Sequence, residues 1–293
     1  MLAGLREPIF CRTARYTMES PAIERELKVA LTGDWHVSPI ISERQRQMLE
    51  RVLTREKPDI VILQGDLIDE PKMLDSQKLR RQLIETVRTC TKVAPTIGVL
   101  GNHDIYRSLK DRRKKRTETP EERERRRVPG MVEKMREALA EGGAKLLTDE
   151  TFCLLGVEFY GFERQLPNTE KSEKKTTGLK WFIGHAPFQE PELREAMWRE
   201  FDVASFGHTH GGCLPIGLDA LYDKLGFHGG LVTPEGRPFP KDWTRGMQKF
   251  GNGKQAFFNA GMVATQFVAP KPTWYLNCLK RAEVTVIEIK LAK

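Results

Sequence analysis

Five of the six histidines in this chain stand in four short polar motifs, and a fifth motif contributes two aspartates. The motifs are Asp34-Trp35-His36, Gly65-Asp66-Leu67-Ile68-Asp69, Gly101-Asn102-His103-Asp104, Gly184-His185-Ala186-Pro187 and Gly207-His208-Thr209-His210-Gly211-Gly212. Imidazole, carboxylate and amide oxygen without a thiolate are ligands that suit Mn, Fe or Zn. A lone histidine is more often structural, but this number of candidate ligands in equivalent positions indicates a metal site.

The spacing of these residues indicates what the metal would do. His36 follows Asp34 by two residues, and His210 follows His208 by two. In extended backbone this spacing points both side chains of a pair to one side. Asp66 falls between the two ligand groups, where one carboxylate can bridge two ions. Two ions about 3.5–4 Å apart can stabilise both the attacking and the leaving oxygen of a phosphoryl displacement. The pattern therefore predicts a dinuclear centre for phosphate ester hydrolysis.

Each motif follows a short apolar run that predicts a buried strand ending in glycine. These predicted strands are 27–32, 59–63, 95–100, 180–184 and 203–207. Helical spacing of apolar residues predicts helices that contain residues 43–53, 79–87 and 131–139, and we also expect a hairpin at 152–162 and a strand at 283–289. Alternating strands and helices favour a sheet covered by helices on its outer face. Ligands collect at the carboxyl ends of such strands, where all five motifs lie.

Composition excludes several other classes of protein. No stretch approaches the roughly 18 apolar residues of a membrane-spanning helix. Residues 1–20 contain no continuous apolar segment, so we do not expect a secretory signal. The five cysteines are scattered and form no CxxC, which argues against a disulfide scaffold and a zinc ribbon. We expect a cytoplasmic protein.

The positive charge is concentrated in one segment. Residues 107–127 contain eleven basic and five acidic residues, hence +6 of the chain's +8. The segment directly follows Asn102-His103-Asp104, so we expect it to begin beside the metals. It is either a solvated helix, a lid over an anionic substrate, a patch that contacts an anionic membrane, or a nucleic-acid contact. Tyr106 is the aromatic residue nearest to it, so base stacking is not favoured.

Together, the five motifs resemble those of the calcineurin-like metallophosphoesterases, over about 27–289. The resemblance implies an α/β fold, a four-layer αββα sandwich of two mixed β-sheets, with residues 1–293 as a single domain and a basic insertion at about 107–127. The block Gly207-His208-Thr209-His210-Gly211-Gly212 and the later Phe227-His228-Gly229-Gly230, Thr244-Arg245-Gly246 and Glu283-Val284-Thr285-Val286 resemble the YkuE-like bacterial branch. That branch is similar to enzymes that hydrolyse UDP-2,3-diacylglucosamine.

The resemblance also implies roles for individual residues. One metal would take Asp34, His36, Asp66 and His210, and the other would share Asp66 and add Asn102, His185 and His208. The two divalent ions would be manganese first, with iron, zinc and magnesium as alternatives, and a hydroxide bridging them would attack the phosphate. His103 would donate a proton to the leaving oxygen, and Asp104 would fix the His103 tautomer.

The expected substrate is a phosphodiester, a pyrophosphate or a phosphomonoester, and a nucleotide-linked lipid pyrophosphate is one candidate. A nuclease or a cyclic-nucleotide phosphodiesterase is the alternative enzyme, and a catalytically silent scaffold is the alternative of another class. A scaffold would be expected to have lost ligands, and here every ligand position is filled. The late loop Asn259-Ala260-Gly261-Met262 departs from the glycine-rich stretch of the branch, and we expect it to form a wall of the substrate site.

Overall fold

The computed structural model describes residues 11–38, 43–107, 119–167, 178–188, 190–210, 243, 245–262 and 282–292. Its strands are β1 (Cys11–Ser20), β2 (Leu27–Thr32), β3 (Ile60–Gln64), β4 (Thr96–Val99), β5 (Lys145–Leu146), β6 (Glu150–Leu154), β7 (Val157–Gly161), β8 (Leu179–Ile183), β9 (Val203–Phe206), β10 (Gly246–Lys249), β11 (Gln255–Phe258) and β12 (Ala282–Leu291). Its helices are α1 (Glu43–Glu56), α2 (Gln77–Thr91), α3 (Asn102–Ile105), α4 (Pro120–Arg125), α5 (Met131–Glu141) and α6 (Pro191–Glu200), with 3₁₀ turns at Pro71–Asp75 and Gly251–Gly253.

The strands form two six-stranded mixed sheets. The first sheet has the order β1-β12-β2-β3-β4-β5, in which β2, β3, β4 and β5 are parallel neighbours. The second has the order β10-β11-β9-β8-β7-β6, in which β11, β9, β8 and β7 are parallel neighbours. The parallel runs in the middle of both sheets bring the carboxyl ends of their strands to one edge, as the motif positions predict.

The two sheets pack face to face, and the strand alternation shows why. Ile62 on β3 lies in the apolar layer between the sheets, together with Trp181 on β8 and Phe257 on β11. Leu63, the next residue after Ile62, belongs instead to the layer between the first sheet and its helices. Because successive side chains of a strand point to opposite faces, a strand buried on both faces is apolar throughout.

Helices cover the outer faces of both sheets. Leu53 of α1, Leu83 of α2 and Met135 of α5 are fully buried against the first sheet. On the second sheet, Met197 of α6 packs with Phe182 and other aromatic rings. The expected four-layer αββα sandwich is therefore confirmed.

The expected strands and helices all form within the described residues, with ends that shift by a few positions. Several elements were not predicted, among them β1, β10 and α6. Strand β1 carries a period-two pattern in which Ala14 and Met18 are buried and Arg15 and Thr17 are not. It pairs in parallel with β12 from the other end of the chain. No described helix is both long and apolar enough to cross a membrane.

Candidate metal centre

The turns after the strands put the candidate ligands in an unusual backbone conformation. Eight described residues other than glycine have positive φ, and five of them stand in the motifs. They are Asp34 (50°), His36 (45°), Asp66 (49°), His208 (65°) and His210 (47°). Left-handed backbone costs a non-glycine residue about 1–3 kcal/mol and occurs where the surrounding fold enforces it, often at functional sites. The expectation that each D-x-H or H-x-H pair is extended is wrong, because both members of each pair are left-handed.

Asp66 lies at the centre of the site, with its two carboxylate oxygens used differently. Oδ1 accepts a hydrogen bond from the backbone N–H of His103 at 2.8 Å. Oδ2 lies 3.1 Å from Nε2 of His185 and 3.7 Å from Nε2 of His36. Gly101 allows this close approach, since a Cβ there would lie 2.1 Å from Oδ1 of Asp66. One oxygen is thus fixed by the backbone, and the other faces both histidines.

The candidate ligands form two groups that share Asp66. Ligand atoms of the first group lie within 4.8 Å of one another, and the members are Asp34, His36, Asp66 and His210. The second group, within the same distance, consists of Asp66, His185 and His208. In the first, Nε2 of His36 lies 3.3 Å from Nε2 of His210. In the second, Nδ1 of His208 lies 3.1 Å from Nε2 of His185. Ring nitrogen atoms therefore converge in each group.

Hydrogen bonds with backbone groups orient several of these side chains. The His185 Nδ1–H donates to the carbonyl oxygen of Gln64 at 2.7 Å, which leaves Nε2 facing Asp66. Oδ2 of Asp34 accepts a hydrogen bond from the backbone N–H of His208 at 3.2 Å. Such contacts fix the tautomer and direction of metal-binding side chains.

Two oxygen atoms at the site lack the partners that buried oxygen atoms normally have. Within the described ranges, Oδ1 of Asp34 and Oδ1 of Asn102 are buried and accept no hydrogen bond, and Nε2 of His210 lies 3.3 Å from the Asp34 atom. A buried polar atom without a partner costs about 1–3 kcal/mol. Oxygen atoms left open beside converging imidazole nitrogens fit divalent cations, and the set contains no thiolate. The residues present therefore suit the metal ions that the motifs imply.

Burial and mutual charge shift the pKa values of the candidate ligands. Burial raises the pKa of Asp34 to about 6, and the charge of nearby Asp66 adds to that rise. Burial would also raise the pKa of Asp66, but the positive charges of His185 and His103 hold it well below its usual range. Burial lowers the pKa of His185, yet Asp66 more than offsets this and brings it to about 9. Protons on these side chains would therefore compete with a cation for the same ligand atoms.

His103 stands beside this cluster with its Nδ1–H fixed, so Nε2 is the nitrogen that can take up and release a proton, although burial lowers the pKa of the ring. Its Nδ1 lies 2.8 Å from the carbonyl oxygen of Asp69, so Nδ1 carries the hydrogen and donates. Its ring meets the His36 ring edge-on, with centroids 4.7 Å apart. The Asp69 carboxylate also lies 3.5 Å from Nδ1 of His36. Asp69 therefore contacts both a candidate ligand and the candidate acid.

Asp104 has a different role from the expected one. Its Oδ1 accepts hydrogen bonds from the backbone N–H groups of Leu67 and Ile68 at 2.8 and 3.0 Å, and its Oδ2 accepts from Gly101 at 2.7 Å. The expectation that Asp104 fixes the His103 tautomer is wrong, because Asp69 supplies that contact. Asp104 instead ties the turn after β3 to the turn after β4, and so holds Asp66 beside His103.

The late loop is also different from the expected substrate wall. Asn259 is fully buried, and its Nδ2 donates to the carbonyl oxygen of Leu31 and to Oγ1 of Thr285, both at 3.1 Å. Gly261 has a φ of 75°, and a Cβ there would lie 2.6 Å from the Cβ of Asp34. The loop therefore supports the backbone at Asp34 from within the fold. An asparagine directly after the apolar run that forms β11 was the available sequence signal.

Comparisons with known proteins find one family model and several relatives. A family model described as "Calcineurin-like phosphoesterase" matches residues 27–212. An uncharacterized metallophosphoesterase of Aquifex aeolicus is 29% identical over 214 residues, which cover 71% of this chain and 73% of the relative. The metallophosphoesterase YkuE of Bacillus subtilis is 22% identical, with coverage of 97% and 87%. A dimetal phosphatase from Danio rerio shares 10% identity with a TM-score of 0.39, covering 84% of this chain and 90% of its own.

Proposed function

We propose that this chain, which belongs to the calcineurin-like phosphoesterase family and is a metal-dependent phosphoesterase, cleaves a phosphodiester or a pyrophosphate with two divalent ions. The observation that carries the proposal is the position of Asp66. Its Oδ2 faces His185 in one ligand group and His36 in the other, at 3.1 and 3.7 Å. A carboxylate so placed suits two cations rather than one.

The proposed ligands follow from the two groups. The first ion would be held by Asp34, His36, Asp66 and His210. The second would be held by Asp66, His185 and His208, with the open amide oxygen of Asn102. When bound, the two ions would lower the pKa of a water molecule to near neutrality and offset the charge of the phosphate.

The chain's own residues would then handle the leaving group. His103 holds its Nδ1 hydrogen on the Asp69 carbonyl oxygen, so Nε2 is the nitrogen that would first take up a proton from solvent, forming the imidazolium, and then give that proton to the leaving oxygen. The backbone N–H of His103 is bound to Asp66, which keeps the acid next to the bridging carboxylate. Asp104 would act on both indirectly, by holding the two turns together.

The proposal also specifies the metal, the natural substrate and the cellular location. Oxygen and imidazole ligands favour manganese over softer metals. A nucleotide-linked lipid pyrophosphate such as UDP-2,3-diacylglucosamine is the favoured natural substrate, and the basic residues after Tyr106 suit such an anion. We propose a cytoplasmic location, with peripheral contact with anionic membrane, supported by three free thiols among the described residues.

Turnover of a substrate panel tests the proposal. The Mn-loaded protein is offered bis(4-nitrophenyl) phosphate, 4-nitrophenyl phosphate and UDP-glucose, and His103→Ala serves as a control that keeps every proposed ligand. We expect the diester and the pyrophosphate to be hydrolysed, chelation to abolish the reaction, and manganese to restore it. Equal turnover by wild type and His103→Ala on all three compounds would assign the activity to a contaminant and reject the proposal.

A further inference from the structure

The described ends of the basic insertion are fastened to each other. The backbone N–H of Arg107 donates to the carbonyl oxygen of Arg126 at 3.0 Å, and that of Val128 donates to Ile105 at 2.9 Å. Tyr106 and Arg127 form an antiparallel bridge between these bonds. The insertion therefore leaves and rejoins the fold at one place, directly after α3.

Ion pairs hold the returning end against the second sheet. Nη1 of Arg127 lies 2.6 Å from Oε1 of Glu163, whose side chain is only 7% exposed. Glu163 follows β7, and the neighbouring Arg164 pairs with Glu124 of α4. A pair with one largely buried partner is worth more than a solvated surface pair. Helix α4 is thus fixed in direction relative to the strand ends.

This fixed helix directs two guanidinium groups onto one aromatic ring. Arg123 lies over the ring of Tyr106 at 5.0 Å from its centroid, and Arg126 lies at 5.9 Å. We call Tyr106, Arg123 and Arg126 the Tyr106 stack. A guanidinium held over an aromatic ring still has N–H donors in its own plane, and these suit the oxygen atoms of a phosphate.

Two of the three acidic residues of α4 are engaged away from the Tyr106 stack. Oε2 of Glu122 accepts from the backbone N–H of Thr119 at 3.0 Å in the capping box of the helix. Glu124 is paired with Arg164 and lies 3.9 Å from Arg127. Within the described ranges, no carboxylate lies at ion-pair distance from Arg123. Among the residues that the structure describes, its positive charge is therefore not neutralised by a carboxylate.

The Tyr106 stack lies close to the proposed acid. Tyr106 follows His103 by three residues and caps α3, so one helical turn separates them. Side chains three apart on a helix have Cβ atoms about 5–6 Å apart. Tyr106, with the guanidinium of Arg123 over its ring, is therefore a near neighbour of the proposed acid.

We propose that the Tyr106 stack is a second anion subsite, which binds the anionic group next to the phosphate that is cleaved. The inference rests on the proposed function and deepens it. It assigns the substrate to phosphate compounds with two adjacent anionic groups, such as nucleoside diphosphate esters. Arg123 supplies the main charge, and Tyr106 holds the guanidinium in place.

Calorimetric titration of the Mn-loaded protein, dialysed free of excess metal, tests the subsite. The probes are methylenediphosphonate, which has two adjacent anionic groups, and methylphosphonate, which has one. Arg123→Gln is compared with Arg125→Gln, a matched control with the same charge change on an exposed residue of α4. We expect Arg123→Gln to weaken the diphosphonate about five- to tenfold, as for one charged contact, with methylphosphonate within twofold. Arg125→Gln should leave both affinities within twofold.

The outcomes separate the subsite from the proposed function. Equal effects of the two variants on the diphosphonate, or equal effects of Arg123→Gln on both probes, would overturn the subsite. Thermal unfolding of each variant distinguishes a folding defect from a loss of binding. Arg123→Lys, which keeps the charge, should restore part of the lost affinity. Turnover of bis(4-nitrophenyl) phosphate by wild type is measured separately. Its failure would reject the proposed function, whereas the affinities alone decide on the subsite.

Discussion

Asp104→Asn is the substitution that best separates support of the backbone from direct action on His103. Oδ1 of Asp104 serves Leu67 and Ile68, and Oδ2 serves Gly101 at 2.7 Å. Asparagine has one oxygen and one NH₂ group. If its oxygen accepts from the N–H groups of Leu67 and Ile68, its NH₂ group must face the N–H of Gly101. The opposite orientation leaves two N–H groups without an acceptor.

The cost follows from the bond that is lost. A hydrogen bond to a charged group contributes about 1.5–3 kcal/mol, and a buried N–H without an acceptor costs about 1–3 kcal/mol. Burial raises the pKa of Asp104 to about 7. Above that pH, where the carboxylate is charged, we therefore expect Asp104→Asn to lower the free energy of unfolding by about 2–4 kcal/mol. That is a large part of the roughly 5–15 kcal/mol of a typical fold.

Urea unfolding followed by far-UV circular dichroism measures the change, since the midpoint and slope give the free energy. Asp75→Asn is the control, because Asp75 is 65% exposed and pairs with exposed Lys134 at 2.9 Å. We expect that control to stay within about 0.5 kcal/mol of wild type. The reasoning is refuted if Asp104→Asn unfolds like wild type but loses turnover, since Asp104 would then act on His103 directly.

Three further predictions concern the site itself. His103→Ala should keep the metal content of wild type by elemental analysis but lower kcat by about 10²–10⁴-fold; loss of an ion would make His103 a ligand. Gly101→Ala should empty the site, because its Cβ would lie 2.1 Å from Asp66, and unchanged metal content would contradict this. Metal affinity should fall as pH falls: the raised pKa of His185, about 9, makes one proton compete below that pH, and Asp34, about 6, adds a second. Indicator competition at pH 5.5 and 7.5 should show about tenfold weakening per pH unit for each competing proton, and equal affinities would refute it.

The sequence predicts the central strands well because both their faces are buried. Ile60, Val61, Ile62 and Leu63 have no exposed surface, so the whole run is apolar and its end is marked by glycine. The edge strand β1 is harder to predict, since Arg15 and Thr17 alternate with its buried residues. Its partner β12 is more than 260 residues away along the chain, so pairing there depends on tertiary contacts.

The motifs predict which residues meet, but not how they are supported. Sequence proximity made Asp104 the expected partner of His103, whereas the turn after β3 brings the Asp69 carbonyl oxygen to that ring. Likewise, the left-handed backbone at Asp34 is enforced by a loop more than 200 residues later, whose Gly261 packs against it. Such contacts across the fold leave no local pattern in the chain.

Metal stoichiometry tests the central claim most directly. Elemental analysis of the active protein, set against turnover of bis(4-nitrophenyl) phosphate, should show about two ions per chain at full activity. Asp66→Asn should lose both ions, whereas Asn102→Ala, which touches one proposed site, should retain about one. One ion per chain at full activity, or an Asp66→Asn variant that keeps a full metal content, would contradict the shared role of Asp66.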